Sequence, residues 1–301
     1  MEKIVRTNIT GLGDPQIVLE NDIYYLFATG MNQDDSYAFS YCYSDNLSDF
    51  KYGGPILLKK DSFGVSEFWA PEIHKINGVY YLVYSARDTK GIMHVQIASS
   101  LKLTGPYKDL KETPLLEDDK FSTIDGHLFE DNGRIYLFYS LDCSTNIING
   151  VHTSQIYAVE LSKDLKSVIS KPTFISTPDH EYEYFSGPEW RWNEGPYVLK
   201  HNNKYYLTYS TNCYCDKHYA VGCAVSDNIL GPYKKYDDVI LSYIDNEISG
   251  PGHNSFFIDK DGSLKICYHI HTFIDNPSGN RRACTSKAYF DKDDKLVIDY
   301  K

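Results

Sequence analysis

The sequence predicts an all-β fold, a five-bladed β-propeller formed by one domain over residues 1–301. Three observations predict it. An apolar, aromatic phrase recurs five times: IYYLFATG (23–30), VYYLVYSA (79–86), RIYLFYS (134–140), KYYLTYST (204–211) and the weaker LKICYHIH (264–271). A tight turn precedes every copy, and no segment carries a helical period. No Pro/Gly/Ser linker or shift of composition divides the chain.

The elements follow in order within each repeat. The first strand is the apolar run before the turn: PQIVL, PEIHKI, GHLFE, PYVLK and NSFFI. The turns are ENDI, KINGV, EDNGR, KHNNK and DKDGS, and their Asn-Gly and Asp-Gly pairs suit the positive φ of a two-residue hairpin. The recurring phrase is the second strand; its tyrosines and branched residues favour a pleated, half-buried surface. A third strand, a Ser/Asp-rich turn and a fourth strand come next, as in VQIASSLKLTGPYKD and YAVGCAVSDNILGPYKK, where TGPYKD and LGPYKK are nearly one string. The anchors Leu26, Leu82, Leu137, Leu207 and Ile266 lie 56, 55, 70 and 59 residues apart, and the longest interval holds an insertion, STPDHEYEYFSGPEWRW (176–192).

Composition excludes several partners. The net charge of −11, with no basic run, leaves nothing to neutralise a phosphate backbone, so nucleic acid is not expected. No segment approaches the roughly 20 apolar residues of a membrane-spanning helix, so no membrane is expected. MEKIVRTNITGLGDP lacks the apolar core of a signal peptide, which points to a cytoplasmic protein. The 7 cysteines are odd in number and follow no framework spacing, which predicts reduced thiols. Cys213, Cys215 and His218 in NCYCDKH lack the fourth ligand of a zinc site, so free thiols are expected there, on a loop after the fourth repeat's second strand.

The heads of the first strands carry the chemistry. Twelve residues before the first three anchors stand Asp14, Ala70 and Asp125, and thirteen before the last two stand Glu194 and His253. In a propeller these strands line the central channel, so the five positions would form a ring at one height. Like charges so placed raise at least one pKa, which separates an acid from a base. Packing has no use for such a ring, because buried unpaired charge is costly. Glu189, in GPEWRW, is out of register with the ring, and Glu72, two residues past Ala70, is expected to point elsewhere.

DPQIVLENDIYYL, FWAPEIHKINGVYYLVYS, IDGHLFEDNGRIYLFYS and EGPYVLKHNNKYYLTYS together resemble glycoside hydrolase family 43 over nearly the whole chain. The resemblance implies an inverting enzyme acting on oligosaccharides derived from xylan or arabinan. The expected activity is an exo-acting β-xylosidase and/or α-L-arabinofuranosidase that needs no cofactor. An endo-1,5-α-L-arabinanase is the alternative within the family; outside enzymes, the alternative is a non-catalytic carbohydrate-binding propeller, against which the intact acid trio speaks. By resemblance Asp14 is the general base, Glu194 the general acid, and Asp125 the residue that tunes and orients the acid. Arg281 and Arg282 are read either as a surface pair or as contacts to the terminal sugar, Arg282 being the better match. Trp69 is read as a pocket wall or as core. His253 is read as a satisfied core histidine or, by resemblance, as a contact to a structural calcium or other cation.

Overall fold

The computed structural model describes residues 3–116 and 120–301. The fold is all-β: the described residues contain no α-helix and two 3-10 turns, Lys59–Asp61 and Glu181–Glu183. Among the described residues no helix is long and apolar enough to cross a membrane.

The first antiparallel run is β1 (Ile4–Glu20), β2 (Ile23–Thr29), β3 (Tyr37–Ser44) and β4 (Lys51–Leu58). The second sheet is β5 (Ser66–Ile76), β6 (Val79–Arg87), β7 (Met93–Ser100) and β8 (Lys108–Asp109). β9 (Thr123–Asp131) and β10 (Arg134–Leu141) open the third, a small ribbon of β11 (Ile147–Ile148) and β12 (Val151–Thr153) intervenes, and β13 (Gln155–Leu161) and β14 (Thr173–Ser176) complete it. β15 (Trp190–Arg191), in the inserted segment, pairs in parallel with β12. β16 (Asn193–His201), β17 (Lys204–Thr211), β18 (Ala220–Ser226) and β19 (Lys234–Lys235) form the fourth sheet. β20 (Gly252–Ile258), β21 (Leu264–His271), β22 (Arg281–Phe290) and β23 (Leu296–Asp299) end the chain. β1 belongs to two runs: its residues from Ile4 to Leu12 pair with β22, and those from Gly13 to Glu20 pair with β2.

Turn chemistry sets the register. Asn21-Asp22, Asn77-Gly78, Asn132-Gly133 and Asn202-Asn203 all have positive φ at both central residues, the two-residue turn that matches strand twist. The fifth hairpin is longer, joining Ile258 to Leu264 with only Gly262 left-handed. Each anchor (Leu26, Leu82, Leu137, Leu207, Ile266) is 0% exposed. Burying such a side chain contributes roughly 1.5–3 kcal/mol. The apolar core divides into five clusters, one between each pair of neighbouring sheets. Contacts run from β1 to β5, β5 to β9, β9 to β16, β16 to β20 and β20 back to β1, so the five first strands close a ring.

Every strand of that ring is interrupted by a bulge, where two residues oppose one on the second strand. The bulged residues are left-handed: Asp14 (φ 54°), Ala70 (48°), Asp125 (57°), Gly195 (55°) and His253 (46°). The fourth ring position is therefore Gly195, one residue after Glu194. The miscount has a physical cause. Ile17, Ile73, Leu128, Val198 and Phe256 face the anchors, and the bulge lies three residues before each. The longer fifth hairpin adds one residue to the count for His253, and nothing adds one to the fourth.

Left-handed backbone at a non-glycine residue costs roughly 1–2 kcal/mol, so something must hold it. A belt of hydrogen bonds between neighbouring sheets does so. Ala70 N–H donates to Thr29 Oγ1 (2.8 Å), Asp125 N–H to Ser85 Oγ (3.0 Å), His253 N–H to Ser210 Oγ (2.7 Å) and Asp14 N–H to His269 Nδ1 (3.2 Å). Each acceptor stands three residues past an anchor. Ser140 holds that place in β10, but Gly195 N–H turns instead to Asp125 Oδ2 (3.0 Å). Ser140 Oγ is left buried without a hydrogen-bond partner among the described residues.

Two similar substitutions should therefore differ. Ser85→Ala strands a buried N–H and should cost about 1–3 kcal/mol in urea unfolding. Ser140→Ala removes a hydroxyl that bonds nothing and should change stability by less than about 0.5 kcal/mol. Equal losses would show that the belt does not hold the bulges.

Candidate active site

Asp14 is clamped from both sides. Its Oδ1 meets Arg281 Nη1 at 3.0 Å and His253 Nδ1 at 3.3 Å, and its Oδ2 accepts a hydrogen bond from Thr29 Oγ1 at 2.7 Å. Burial alone would raise its pKa. The Arg281 guanidinium, His253 and the Thr29 hydroxyl outweigh burial and hold Asp14 well below the usual carboxylate range. Gly13 makes this approach possible, because a Cβ there would sit 2.0 Å from Arg281 Nη2. His269, buried beside the same arginine, is held neutral, its pKa driven well down by burial and then by Arg281. A neutral ring leaves Nδ1 free to accept the Asp14 N–H.

Asp125 and Glu194 go the other way. Burial raises Asp125; the charge of Asp14 adds to the rise, while His253 and the Gly195 N–H oppose it. Burial, and then the charge of Asp125, push Glu194 well above its ordinary value. Tyr219 donates its hydroxyl to Glu194 Oε1 at 2.9 Å, leaving the other oxygen to carry a proton. The Tyr219 ring lies parallel to His269, with centroids 5.5 Å apart and planes 3° apart. Two carboxyl groups of one site are thus pushed in opposite directions, Asp14 down and Glu194 up.

These groups line one pocket of about 350 Å³, together with Trp69, Trp192 and Tyr214. Arg281 is in it, with its guanidinium 4.9 Å from the Tyr214 ring centroid, and Arg282 is not. The alternation of β22 explains this. Adjacent residues face opposite sides of a strand, and Arg281 takes the pocket side. The inserted segment walls the pocket through Trp192. It is tied down by buried Glu183, which accepts from Lys235 Nζ (2.8 Å) and from Asn193 Nδ2 (2.8 Å). Asn193 directly precedes Glu194, so this buried ion pair fixes the chain that carries the acid. Glu189 is exposed and outside the pocket.

Glu72 does not point away. It lines a narrow central cavity below the acids, with its Oε1 2.5 Å from His127 Nδ1 and 2.6 Å from His74 Nε2. The bulge at Ala70 shifts the alternation of β5 and turns Glu72 inward. His253 borders both cavities. Donors for a calcium ion at this place include three cavity carboxylates, Asp14, Glu72 and Asp125. Calcium takes 6–8 oxygen ligands. Around His253 the Gln16 amide is engaged with Ile73 and Ser255 Oγ donates to Pro15, which leaves the unpartnered Asn254 Oδ1. The three carboxylates are each paired within the protein, Asp14 with Arg281, Glu72 with His74 and His127, and Asp125 with the Gly195 N–H.

Sequence reasoning missed Thr29, His269, Tyr219 and Trp192, and also Asp142, which lines the same pocket and whose charge adds to the rise of Glu194. Thr29 and His269 had a signal, since both lie three residues past an anchor in the quoted phrases. Tyr219 had none among 27 tyrosines. Cys213 and Cys215 do lie on the loop after β17 as free thiols.

Residues 9–296 match the model of the family described as glycosyl hydrolases family 43. An extracellular exo-α-(1→5)-L-arabinofuranosidase of Streptomyces chartreusis is 27% identical, over 69% of this chain and 64% of that protein. The chain spans about three fifths of the length of the curated relatives it matches first. A thermostable family-43 glycoside hydrolase of known structure is 41% identical, with a TM-score of 0.91 over 97% of this chain and 94% of that one. A structure titled endo-1,4-β-xylanase from Bacteroides thetaiotaomicron is 30% identical, with a TM-score of 0.85 over 98% and 96% of the two chains.

The pKa of Glu194 makes stability depend on pH. The folded state keeps its proton above the unfolded value of about 4.3, so ionisation of the unfolded chain erodes stability as pH rises, by up to about 1.4 kcal/mol per unit. Glu194→Gln lacks this term. Its stability relative to the parent, measured by urea unfolding, should therefore grow from pH 4 to pH 8. A difference that stays constant over this range would mean that Glu194 ionises normally.

Proposed function

The chain belongs to glycosyl hydrolase family 43, and from that premise we propose that it is an inverting, exo-acting β-xylosidase and/or α-L-arabinofuranosidase. We read residues 1–301 as one five-bladed propeller, a reading supported by the closed ring of five first strands. The observation that carries the activity is a pair of carboxyl groups with opposed surroundings in a single pocket: Asp14 against the Arg281 guanidinium, and Glu194 against Asp125 and the Tyr219 hydroxyl.

In this mechanism Glu194 hands its proton to the glycosidic oxygen as the bond to the anomeric carbon breaks. Tyr219 keeps the carboxyl turned toward that oxygen. Asp14 takes a proton from a water on the opposite face of the sugar, which inverts the configuration. Asp125, fixed by the Gly195 N–H, raises the pKa of Glu194 and loads the acid before each turnover. Trp69 and Trp192 flank the sugar, and Arg281 offers hydrogen bonds to its hydroxyls. No step needs a metal or an organic cofactor. The substrate class rests on the relatives, whose names point to arabinose- and xylose-containing glycans. The endo-1,5-α-L-arabinanase reading draws on one observation: a shallow hollow of about 740 Å³, lined by Trp190, Trp192 and Lys217, adjoins the pocket and offers room for a longer chain.

Glu194→Gln and Asp14→Asn should each lower kcat on nitrophenyl pentosides by about 10²–10⁴. Glu194→Gln should lose far less on a dinitrophenyl glycoside, whose leaving group needs no proton. Equal losses on both substrates would remove Glu194 as the acid. NMR of the first-formed sugar should show the inverted anomer, and retention would exclude the mechanism. Arg281→Ala should move the acidic limb of the pH–rate profile upward, because Asp14 loses its cation, and Arg282→Ala should leave that limb in place. Xylobiose and linear arabino-oligosaccharides should release single pentoses; internal cleavage would favour the endo reading.

A further inference from the structure

The loop between β17 and β18 carries two thiols with no part in hydrolysis, Cys213 on the pocket wall and Cys215 outside the pocket. Cys213 Sγ and Cys215 Sγ lie 3.0 Å apart. A turn closed by Asp216 N–H to Cys213 O (2.9 Å) bends the chain so that the two side chains meet. The surrounding bonds hold the bend. Cys213 N–H donates to Ser186 Oγ (2.8 Å), and Tyr214 O contacts His271 Nε2 (2.9 Å). Cys215 is exposed and Cys213 half-buried, whereas the five other cysteines are buried.

We propose that Cys213 and Cys215 form a reversible disulfide under peroxide and that this bond reshapes the sugar pocket. Bringing the sulfurs to a bond of about 2.05 Å takes a movement of only about 1 Å. The exposed Cys215 thiolate attacks hydrogen peroxide, forming a sulfenic acid and releasing hydroxide. Cys213 sulfur then attacks that sulfenic sulfur; the S–S bond forms and water leaves. Overall two thiols and one peroxide give one disulfide and two waters, and a small dithiol reverses the change. Burial and the neighbouring sulfur push the Cys213 thiol up, which leaves the first attack to the exposed Cys215.

The loop connects this chemistry to both carboxylates. Tyr214 sits between the two cysteines, and its ring underlies Arg281, which holds Asp14. Tyr219, at the far end of the loop, holds Glu194. Closing the ring of atoms around Tyr214 moves its aromatic face and, with it, the guanidinium on the base. A displacement of this size at a reacting group costs roughly 10- to 100-fold in rate.

The test uses the full reduced chain and hydrogen peroxide. Tryptic peptide 205–217 holds both cysteines, and after oxidation it should be lighter by two hydrogen masses, with dithiothreitol restoring it. Hydrolysis of a nitrophenyl pentoside should fall roughly 10- to 100-fold and recover with the dithiol. Cys215→Ser, which lies outside the pocket, should keep its basal rate and ignore peroxide. No mass loss in the peptide, an unchanged rate in its presence, or equal inactivation of Cys215→Ser would each overturn the proposal. The rate readout rests on the proposed hydrolase activity. A chain that cleaves no pentoside would sink that reading, and the peptide mass would still decide the disulfide.

Discussion

The molecule depends on a strained bend repeated in five strands. Each first strand of the ring carries a bulge with its central residue in the left-handed region. All five N–H groups at these bends are taken by a side chain of the preceding sheet, four by the residue three past its anchor and the fifth by Asp125. The belt does two things at once. It joins neighbouring sheets across the wedge-shaped core, and it turns Asp14, Asp125 and His253 toward a common opening. Glu194 reaches the same opening from one residue earlier, and Gly195 takes the bend. In the fourth strand the usual hydroxyl acceptor, Ser140, is bypassed and a carboxylate of the site takes its place. A bond of the scaffold has become a bond of the site.

The electrostatics follow from that geometry. Asp14 faces a guanidinium, while Glu194 faces a carboxylate and a phenol. Glu194 is buried and Asp14 nearly so, and the difference between them comes from their partners rather than their depth. The support extends outward: Gly13 clears space for the guanidinium, and the Glu183–Lys235 pair steadies Asn193 beside the acid.

Much of this was legible in the sequence because strand, turn and anchor recur with local causes. Asn-Gly turns fix register, and a buried leucine marks the middle of each second strand. Even the belt was written in the repeated phrases, as the Thr or Ser three residues past an anchor. What failed was whatever depended on a one-residue offset. The fourth ring position was read as Glu194 because the extra residue of the fifth hairpin was counted in the fourth repeat as well. Arg282 was preferred to Arg281 because neighbours on a strand face opposite ways and sequence does not say which. Glu72 was sent outward because the bulge that reverses its alternation has no residue signature. Tyr219 is recognised only by what it touches.

The shared strand β1 has a consequence for how the protein is made. Its first half pairs with β22, from Ile4 opposite Ser286 to Leu12 opposite Arg281, so almost the whole chain lies between the partners. At about 5–20 residues per second, the ribosome needs tens of seconds to deliver the later strand. For that time the early segment presents an open, hydrogen-bonding edge to everything in its surroundings. The contact that seats Arg281 against Asp14 cannot form before β22 is made, so Asp14 gains its cation only as the ring closes.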